Sequence, residues 1–275
     1  MKRQPDNIIG ILGNPLKQSM SPILHNYWIK QNRLNYYYCK FQIENIKDIN
    51  KAIKKLNIKG LNVTIPFKKQ IIKYLDKVDK TSSLLQAVNT IKNNNGLLEG
   101  YNTDVKGFQQ GLDEFKSLSM SKPAIILGAG GACEAVIHGL KEKGIKEIYL
   151  MNRTKRKAEA IAEKYAKVLV KGWMDKDIIN NVGLIVNTTS LGMIGYPSLP
   201  LSLRQVDRDT KIYDIVYNPL ETQLIKEAKK NKLDYKTGLS MFLGQAQESF
   251  KIWFKIKPTI NNYLIYKIKN NIVSR

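Results

Sequence analysis

The chain has 275 residues, about twice the size of an ordinary domain, so two domains and a sizeable core are expected. With 43% hydrophobic and 9% aromatic residues the composition is globular, which excludes disordered, fibrous and disulfide- or metal-dependent mini-protein classes. The formal charge is +22, but only 7 of 45 basic residues are Arg and no segment forms a polybasic tail, which disfavours specific nucleic-acid binding.

Ile8 to Leu12 reads as the first strand, and Ser21-Pro22 as the opening of a helix through His25, Tyr27 and Trp28. Ser21 is expected at its N-cap and Pro22 in its first turn. Tyr36 to Ile43 reads as a strand, Ile46 to Leu56 as a helix with Ile49, Ala52, Ile53 and Leu56 on one face, and Gly60 to Ile65 as a strand stopped by Pro66. Asn93-Asn94-Asn95-Gly96 is a hairpin-turn signal between Thr90-Ile91 and Leu97-Leu98. A polar helix is expected from Asp104 to Ser117, followed by a short linker strand to Pro123, with a domain boundary near residue 105.

From Pro123 the pattern becomes doubly wound. It runs from strand Ala124 to Leu127 through a glycine turn and a helix to Gly144, then strand Glu147 to Met151 and helix Lys155 to Tyr165. Strands Leu184 to Asn187 and Lys211 to Val216 follow. Strands alternating with helices imply a parallel sheet. Leu239 to Ile256 places Leu239, Phe242, Leu243, Ala246, Phe250, Trp253 and Phe254 on one helical face, as a packing helix would.

Cys39 and Cys133 lie far apart and neither has a His or second Cys at metal-ligand spacing, so no metal site is expected and free thiols in a reducing cytoplasm are. The first apolar run is too short for a signal-peptide core, and no stretch approaches the length of a membrane span. The two His and three Trp read as ordinary helix and packing residues.

The strongest local signal is the buried strand Ala124 to Leu127 running into Gly128-Ala129-Gly130-Gly131-Ala132 and a helix. Glycines let a pyrophosphate approach the backbone, and the helix N-terminus offers it unpaired amides. Cys133 stands where such a turn usually has a third glycine or alanine. NAD-binding folds carry an acidic residue after the next strand, whereas Asn152-Arg153-Thr154-Lys155-Arg156-Lys157 stands there. Four cations and a hydroxyl favour the 2′-phosphate of NADP. In the first hundred residues, Thr64 and Lys68 fall at the carboxyl end of a strand, where open α/β sheets bind ligands. Asn89 and Asp104 fall near further strand ends. Lys68 and Asp104 lining an interdomain cleft would make an acid/base pair, the rival reading of Asp104 being a turn or helix cap.

Ser19-Met20-Ser21-Pro22 with His25-Asn26, Asn62 to Lys68, Ala87 to Thr90, Gly100 to Asp104, Gly128 to Ala132, Asn152 to Thr154, Asp214 to Pro219, and Gly238 with Met241 to Ala246 follow one another in register. Over nearly the whole chain this resembles the shikimate dehydrogenase family. The resemblance implies an N-terminal α/β substrate domain, residues 1–104 with 239–275, and a Rossmann-type NADP domain, residues 105–238, the C-terminal helix returning to the first domain. It implies NADPH-dependent, reversible reduction of 3-dehydroshikimate to shikimate, in chorismate and aromatic amino acid biosynthesis. The expected enzyme is cytoplasmic, a monomer or homodimer, acting on a small molecule without membrane or nucleic acid.

By the same resemblance, Ser19 and Ser21 would hold the substrate carboxylate, and Thr64, Asn89 and Asp104 its ring hydroxyls, with Gln245 and Tyr217 at the same cleft. Lys68 would donate and accept the proton, with Asp104 beside it. Gly128, Ala129, Gly130, Gly131 and Ala132 would form the pyrophosphate turn, and Asn152, Arg153, Thr154, Lys155, Arg156 and Lys157 the adenosine phosphate clamp. Ile215 and Gly238 would lie near the nicotinamide. Lys157 stands where Arg is common, and Lys80 where some relatives carry an acidic residue. A quinate/shikimate dehydrogenase using NAD or both cofactors should favour an acid near 152–154. A methylene-tetrahydrofolate dehydrogenase would not need Ser19 and Ser21, and a non-catalytic sensor of this fold should lose Lys68 or Asp104.

Overall fold

The structure, a computed structural model, describes residues 7–273. The chain divides into two compact units, one running to Thr103 and resuming at Ala246, the other spanning Asp104 to Gln245.

The first unit begins with β1 (Asn7–Gly13), α1 (Ser21–Gln31), β2 (Tyr36–Gln42), α2 (Ile49–Lys55) and β3 (Ile58–Val63). A 3-10 turn (Gln70–Tyr74), β4 (Lys77–Val78), α3 (Lys80–Leu85), β5 (Thr90–Asn94) and β6 (Leu97–Tyr101) follow. The six strands form one sheet in the order β2-β1-β3-β5-β6-β4. β1 runs parallel to β2 and β3, whereas β5 is antiparallel to β3 and β6. One face buries Leu12, Leu61, Val63 and Ile91 against Ile49 and Ile53 of α2 and Ile71 of the 3-10 turn. Asn95 and Gly96 both take left-handed backbone, with φ of 52° and 97°, and Asn93 Oδ1 accepts the Gly96 N–H at 2.8 Å, which closes the expected hairpin.

Several boundaries differ from the sequence expectation. Met20, not Ser21, stands at the N-cap of α1 with no side-chain cap, because Met20 is fully buried and Ser21 is already helical. The Ser21 N–H leans instead on Ser19 Oγ at 3.4 Å. α2 starts only at Ile49, since Asp48 has φ of 60°, and Leu56 lies half exposed beyond its end. β3 stops at Val63, and Ile65 is exposed.

The second unit contains α4 (Asp104–Asp113), β7 (Ala124–Leu127), α5 (Cys133–Glu142), β8 (Ile148–Met151), α6 (Lys155–Ala162) and β9 (Val168–Lys171). Then come α7 (Lys176–Ile179), β10 (Leu184–Asn187), β11 (Lys211–Asp214), α8 (Gln223–Lys230) and β12 (Tyr235–Lys236). The sheet order is β12-β11-β10-β7-β8-β9, parallel throughout. Along β7, Ala124 and Ile126 join a core with α4, α5 and α6, while Ile125 and Leu127 join one with α7 and α8. A strand buried on both faces reads as a continuous apolar run, which is why Ala124 to Leu127 was legible. α4 ends at Asp113, and no strand forms between Ser117 and Pro123. β11 ends at Asp214 because that carboxylate accepts the Val216 N–H at 3.0 Å and turns the chain.

α9 (Gly238–Phe254) belongs to the second unit as far as Gln245 and to the first from Ala246, so the division of the two units falls inside a continuous helix. α10 (Asn262–Val273), unforeseen in the sequence, packs against α1. Trp28 Nε1 donates to the carbonyl of Thr259 at 3.0 Å. Phe250 and Trp253 of α9 close an aromatic box around His25, which stacks on Tyr38 with ring centroids 4.4 Å apart. The Trp residues 28 and 253 do serve packing, as expected.

Candidate functional site

In the second unit, strand order reverses between β7 and β10, the position where open parallel sheets bind ligands beyond their carboxyl ends. The glycine turn 128–132 lies there. Gly128 has φ of +106°, and a Cβ on it would stand 2.6 Å from Thr189 Cγ2, so only glycine fits. Around Gly131 a Cβ would meet nothing within 4 Å, and at Gly130 the nearest atom is 3.8 Å away. The turn is therefore open on that side. α5 starts with Ala132 at its N-cap and no side-chain cap; the Cys133 N–H turns back onto the Gly130 carbonyl at 3.1 Å. Cys133 is fully buried, which explains a small apolar residue where glycine or alanine is usual.

At the end of β8, Asn152 Oδ1 accepts the Ala129 N–H at 3.0 Å and its Nδ2 donates to the Thr154 carbonyl at 2.8 Å. Arg153 to Lys157 are all exposed, and Thr154 caps α6 without a side-chain bond. Lys155 pairs with Glu159 at 3.4 Å; Arg153, Arg156 and Lys157 have no carboxylate partner among the described residues. Cations gathered at a helix start oppose its dipole, and an anion there would relieve them. These residues fit NADP: an open glycine cradle, a helix start with no side-chain cap, and three exposed cations with no carboxylate partner among the described residues.

The β10 and β11 ends frame the same side of the sheet. Thr188 Oγ1 donates to the carbonyls of Leu127 and Gly128, and Asn187 Oδ1 accepts from the N–H and hydroxyl of Thr189. Asn187 Nδ2 donates to Asp214 at 2.9 Å, and the Thr222 hydroxyl donates to the same carboxylate. Burial pushes the Asp214 carboxyl up to about 6 against the pull of the Thr222 hydroxyl, the Val216 N–H and Asn187 Nδ2. Beyond Asp214, Ile215 is held by Gly238: a Cβ there would lie 2.1 Å from the Ile215 carbonyl oxygen. Tyr217 stacks on Phe242 of α9 at 4.8 Å.

Asp104 is the first residue of α4 and is 6% exposed, so it opens the helix from a buried position. One turn later Gly107 lets α9 cross closely: a Cβ would meet the Gln245 nitrogen at 2.6 Å. Asp104 and Gln245 thus stand on two touching helices of one unit.

In the first unit, five of the singled-out residues share the carboxyl edge of the parallel strands. Gly13 at the end of β1 admits Thr64 from the end of β3, whose Cγ2 would lie 2.4 Å from a Cβ, and the Thr64 N–H donates to the Leu12 carbonyl. Ser19 and Ser21 follow β1 at the start of α1. The Lys68 carbonyl accepts the Val88 N–H at 2.9 Å, and the Asn89 carbonyl accepts the Val63 N–H at 2.8 Å. These bonds draw Lys68 and Asn89 to the same edge as Thr64.

Residues 11–91 match the family described as Shikimate dehydrogenase substrate binding domain, and residues 110–192 match Shikimate / quinate 5-dehydrogenase. A protein of Pelagibacter ubique named shikimate dehydrogenase (NADP(+)) is 38% identical over 257 residues, covering 93% of this chain and 96% of that one. The chain belongs to the shikimate dehydrogenase family. Its namesake from Methanocaldococcus jannaschii is 40% identical over 278 residues, covering 95% and 97%. A crystal structure of a shikimate dehydrogenase in complex with NADP+ superposes with a TM-score of 0.86 at 39% identity, covering 98% of this chain and 95% of that chain.

Membership in the shikimate dehydrogenases fits the α/β architecture and the open glycine turn. Sequence reasoning passed over Thr188, Thr189 and Asp214 as a bonded set, although polar residues at the ends of apolar strands were the available signal. It placed Asn62, Thr90 and Thr103 within motifs without giving them a role and did not single out Tyr38 or Ser249, though all five are buried and joined by hydrogen bonds. Among the described residues no cluster of His, Cys, Asp and Glu could hold a metal, and no helix is long and apolar enough to cross a membrane.

Proposed function

We propose that this chain catalyses the NADPH-dependent, reversible reduction of 3-dehydroshikimate to shikimate, the reaction that its relatives' name denotes. The observation that carries the cofactor choice is the run Asn152 to Lys157: no carboxylate, and three exposed cations without ion-pair partners beside an open glycine turn. A ribose 2′-phosphate satisfies those cations, whereas a ribose hydroxyl would leave them unanswered. The step serves chorismate and aromatic amino acid synthesis in the cytoplasm, in keeping with two free thiols, Cys39 and Cys133. The working protein is a monomer or a homodimer.

Residues 1–104 with 239–275 bind substrate, and residues 105–238 bind cofactor. Gly128 to Ala132 receive the pyrophosphate, Arg153, Thr154, Arg156 and Lys157 the 2′-phosphate, and Lys155 adds charge despite its pairing. Ile215 and Gly238 border the nicotinamide. Ser19 and Ser21 hold the substrate carboxylate through their hydroxyls. Thr64, Asn89 and Asp104 meet the ring hydroxyls, and Tyr217 and Gln245 also contact substrate.

When bound, NADPH supplies the hydride. The Lys68 ammonium stabilises the negative charge that grows on the carbonyl oxygen and delivers a proton to it from Nζ. Asp104 orients that ammonium and a neighbouring substrate hydroxyl. In the oxidative direction Lys68 Nζ accepts the proton of the substrate hydroxyl. Formation of reduced nicotinamide when shikimate is added to protein and NADP+ tests the reading directly.

A further inference from the structure

We propose that Ser249, on the part of α9 that belongs to the first unit, is a positioning residue that fixes the Asn89 carboxamide for substrate binding. The inference rests on the proposed assignment of Asn89 to the ring hydroxyls.

The Thr103 backbone N–H can only donate, and it meets Asn89 Oδ1 at 2.9 Å, which settles which end of the amide is oxygen. Thr90 Oγ1 donates to the same oxygen at 3.0 Å. Having given its one proton to Asn89, Thr90 must accept in its other bonds. Ser249 Oγ stands 2.8 Å from Thr90 Oγ1, so Ser249 is the donor there; it also lies 3.2 Å from Thr103 Oγ1. Ser249 in turn accepts from Asn62 Nδ2 at 3.0 Å, and Asn62 Oδ1 accepts from the Tyr38 hydroxyl at 2.8 Å.

One direction of donation therefore runs from Tyr38 through Asn62, Ser249 and Thr90 to Asn89, with a longer branch of 3.2 Å from Asn62 Nδ2 directly to Thr90 Oγ1. Tyr38, Thr90 and Ser249 are fully buried, and Asn62 and Asn89 nearly so. Water cannot substitute for a missing member, and a buried network that loses one donor loses its defined orientation. The Asn89 oxygen accepts from the Thr103 N–H and from Thr90, and Asn89 Nδ2 donates to Thr103 Oγ1 at 3.0 Å, so both ends of the carboxamide are oriented from within this network. Ser249 braces Asn89 through Thr90 and Thr103, without touching substrate.

The test is steady-state kinetics of the full chain and its Ser249→Ala and Ser249→Cys variants, with shikimate and NADP+ varied separately and the melting temperature of each measured. Ser249→Ala should raise KM for shikimate about five- to tenfold, with kcat within about twofold and KM for NADP+ unchanged, as expected for one lost buried donor. Ser249→Cys, which keeps shape and a weak donor, should fall between the two. A lowered melting temperature with unchanged shikimate KM would overturn the proposal, as would equal rises in both KM values. Failure of both variants to fold would also overturn it, by making the serine structural. If the unaltered chain does not oxidise shikimate, the function assignment fails instead, a separate result.

Discussion

The side-chain oxygen of Asn152 accepts the backbone N–H of Ala129 at 3.0 Å, so the carboxamide at the end of β8 holds the glycine turn at the end of β7. Its other end holds the Thr154 carbonyl at the start of α6. Asn152→Ala should therefore loosen the turn and weaken NADP and NAD alike, by about tenfold each, from the loss of one or two hydrogen bonds. Arg153→Ala should weaken NADP by about tenfold or more and NAD by less than about twofold, since only NADP carries the 2′-phosphate. Titration calorimetry with both dinucleotides separates the two patterns. Equal losses in Arg153→Ala would contradict the clamp.

Lys68→Ala should lower kcat about 10²-fold or more, with a much smaller effect on KM, as loss of a positioned acid and base predicts. A variant with near-normal turnover would remove Lys68 from the chemistry.

His25 gives a pH prediction. Both ring nitrogens are buried without hydrogen-bond partners in the box of Tyr38, Trp28, Phe250 and Trp253, and burial pushes the imidazole down from 6.5 to about 3. The unfolded chain binds a proton below pH 6.5 that the folded chain excludes until about pH 3, so stability is lost as pH falls through that window. Between pH 7 and pH 5 this one group should cost about 2 kcal/mol. His25→Phe should remove that share of the acid sensitivity, read as a smaller pH dependence of urea unfolding. An unchanged slope would show that the imidazole reaches solvent or a partner.

Gly238→Ala should both destabilise and disturb the reaction. A Cβ at this position would stand 2.1 Å from the Ile215 carbonyl oxygen, and because the obstacle is backbone, the Ile215–Val216 segment must shift. Overpacking of this kind costs about 1–3 kcal/mol. Melting temperature and kcat should fall together; a fall in melting temperature with full activity would separate Ile215 from the nicotinamide.

Much of the second unit could be read from local sequence. β7 and β10 are apolar runs buried on both faces, and the glycines of 128–131 follow directly on β7, so strand, turn and helix announce one another within a few residues. The Asn93 to Gly96 hairpin was legible for the same reason: its geometry is set by two residues with left-handed backbone. Ser21 was misread as a cap because the burial of Met20, which shifts the helix start, depends on the folded core. The Asn62–Ser249 bond joins residues 187 positions apart, and nothing in either neighbourhood signals the other. Ser249 reads in sequence as one more position on an apolar helix, and only the folded first unit shows it meeting Thr90 and Thr103.

The most direct measurement is the rate of reduced-nicotinamide formation in the four combinations of shikimate or quinate with NADP+ or NAD+. Shikimate with NADP+ should have the highest kcat/KM, exceeding shikimate with NAD+ by about tenfold or more if the 2′-phosphate is held by charge-assisted bonds. Faster turnover of quinate with NAD+, or no turnover of shikimate with either cofactor, would contradict the account.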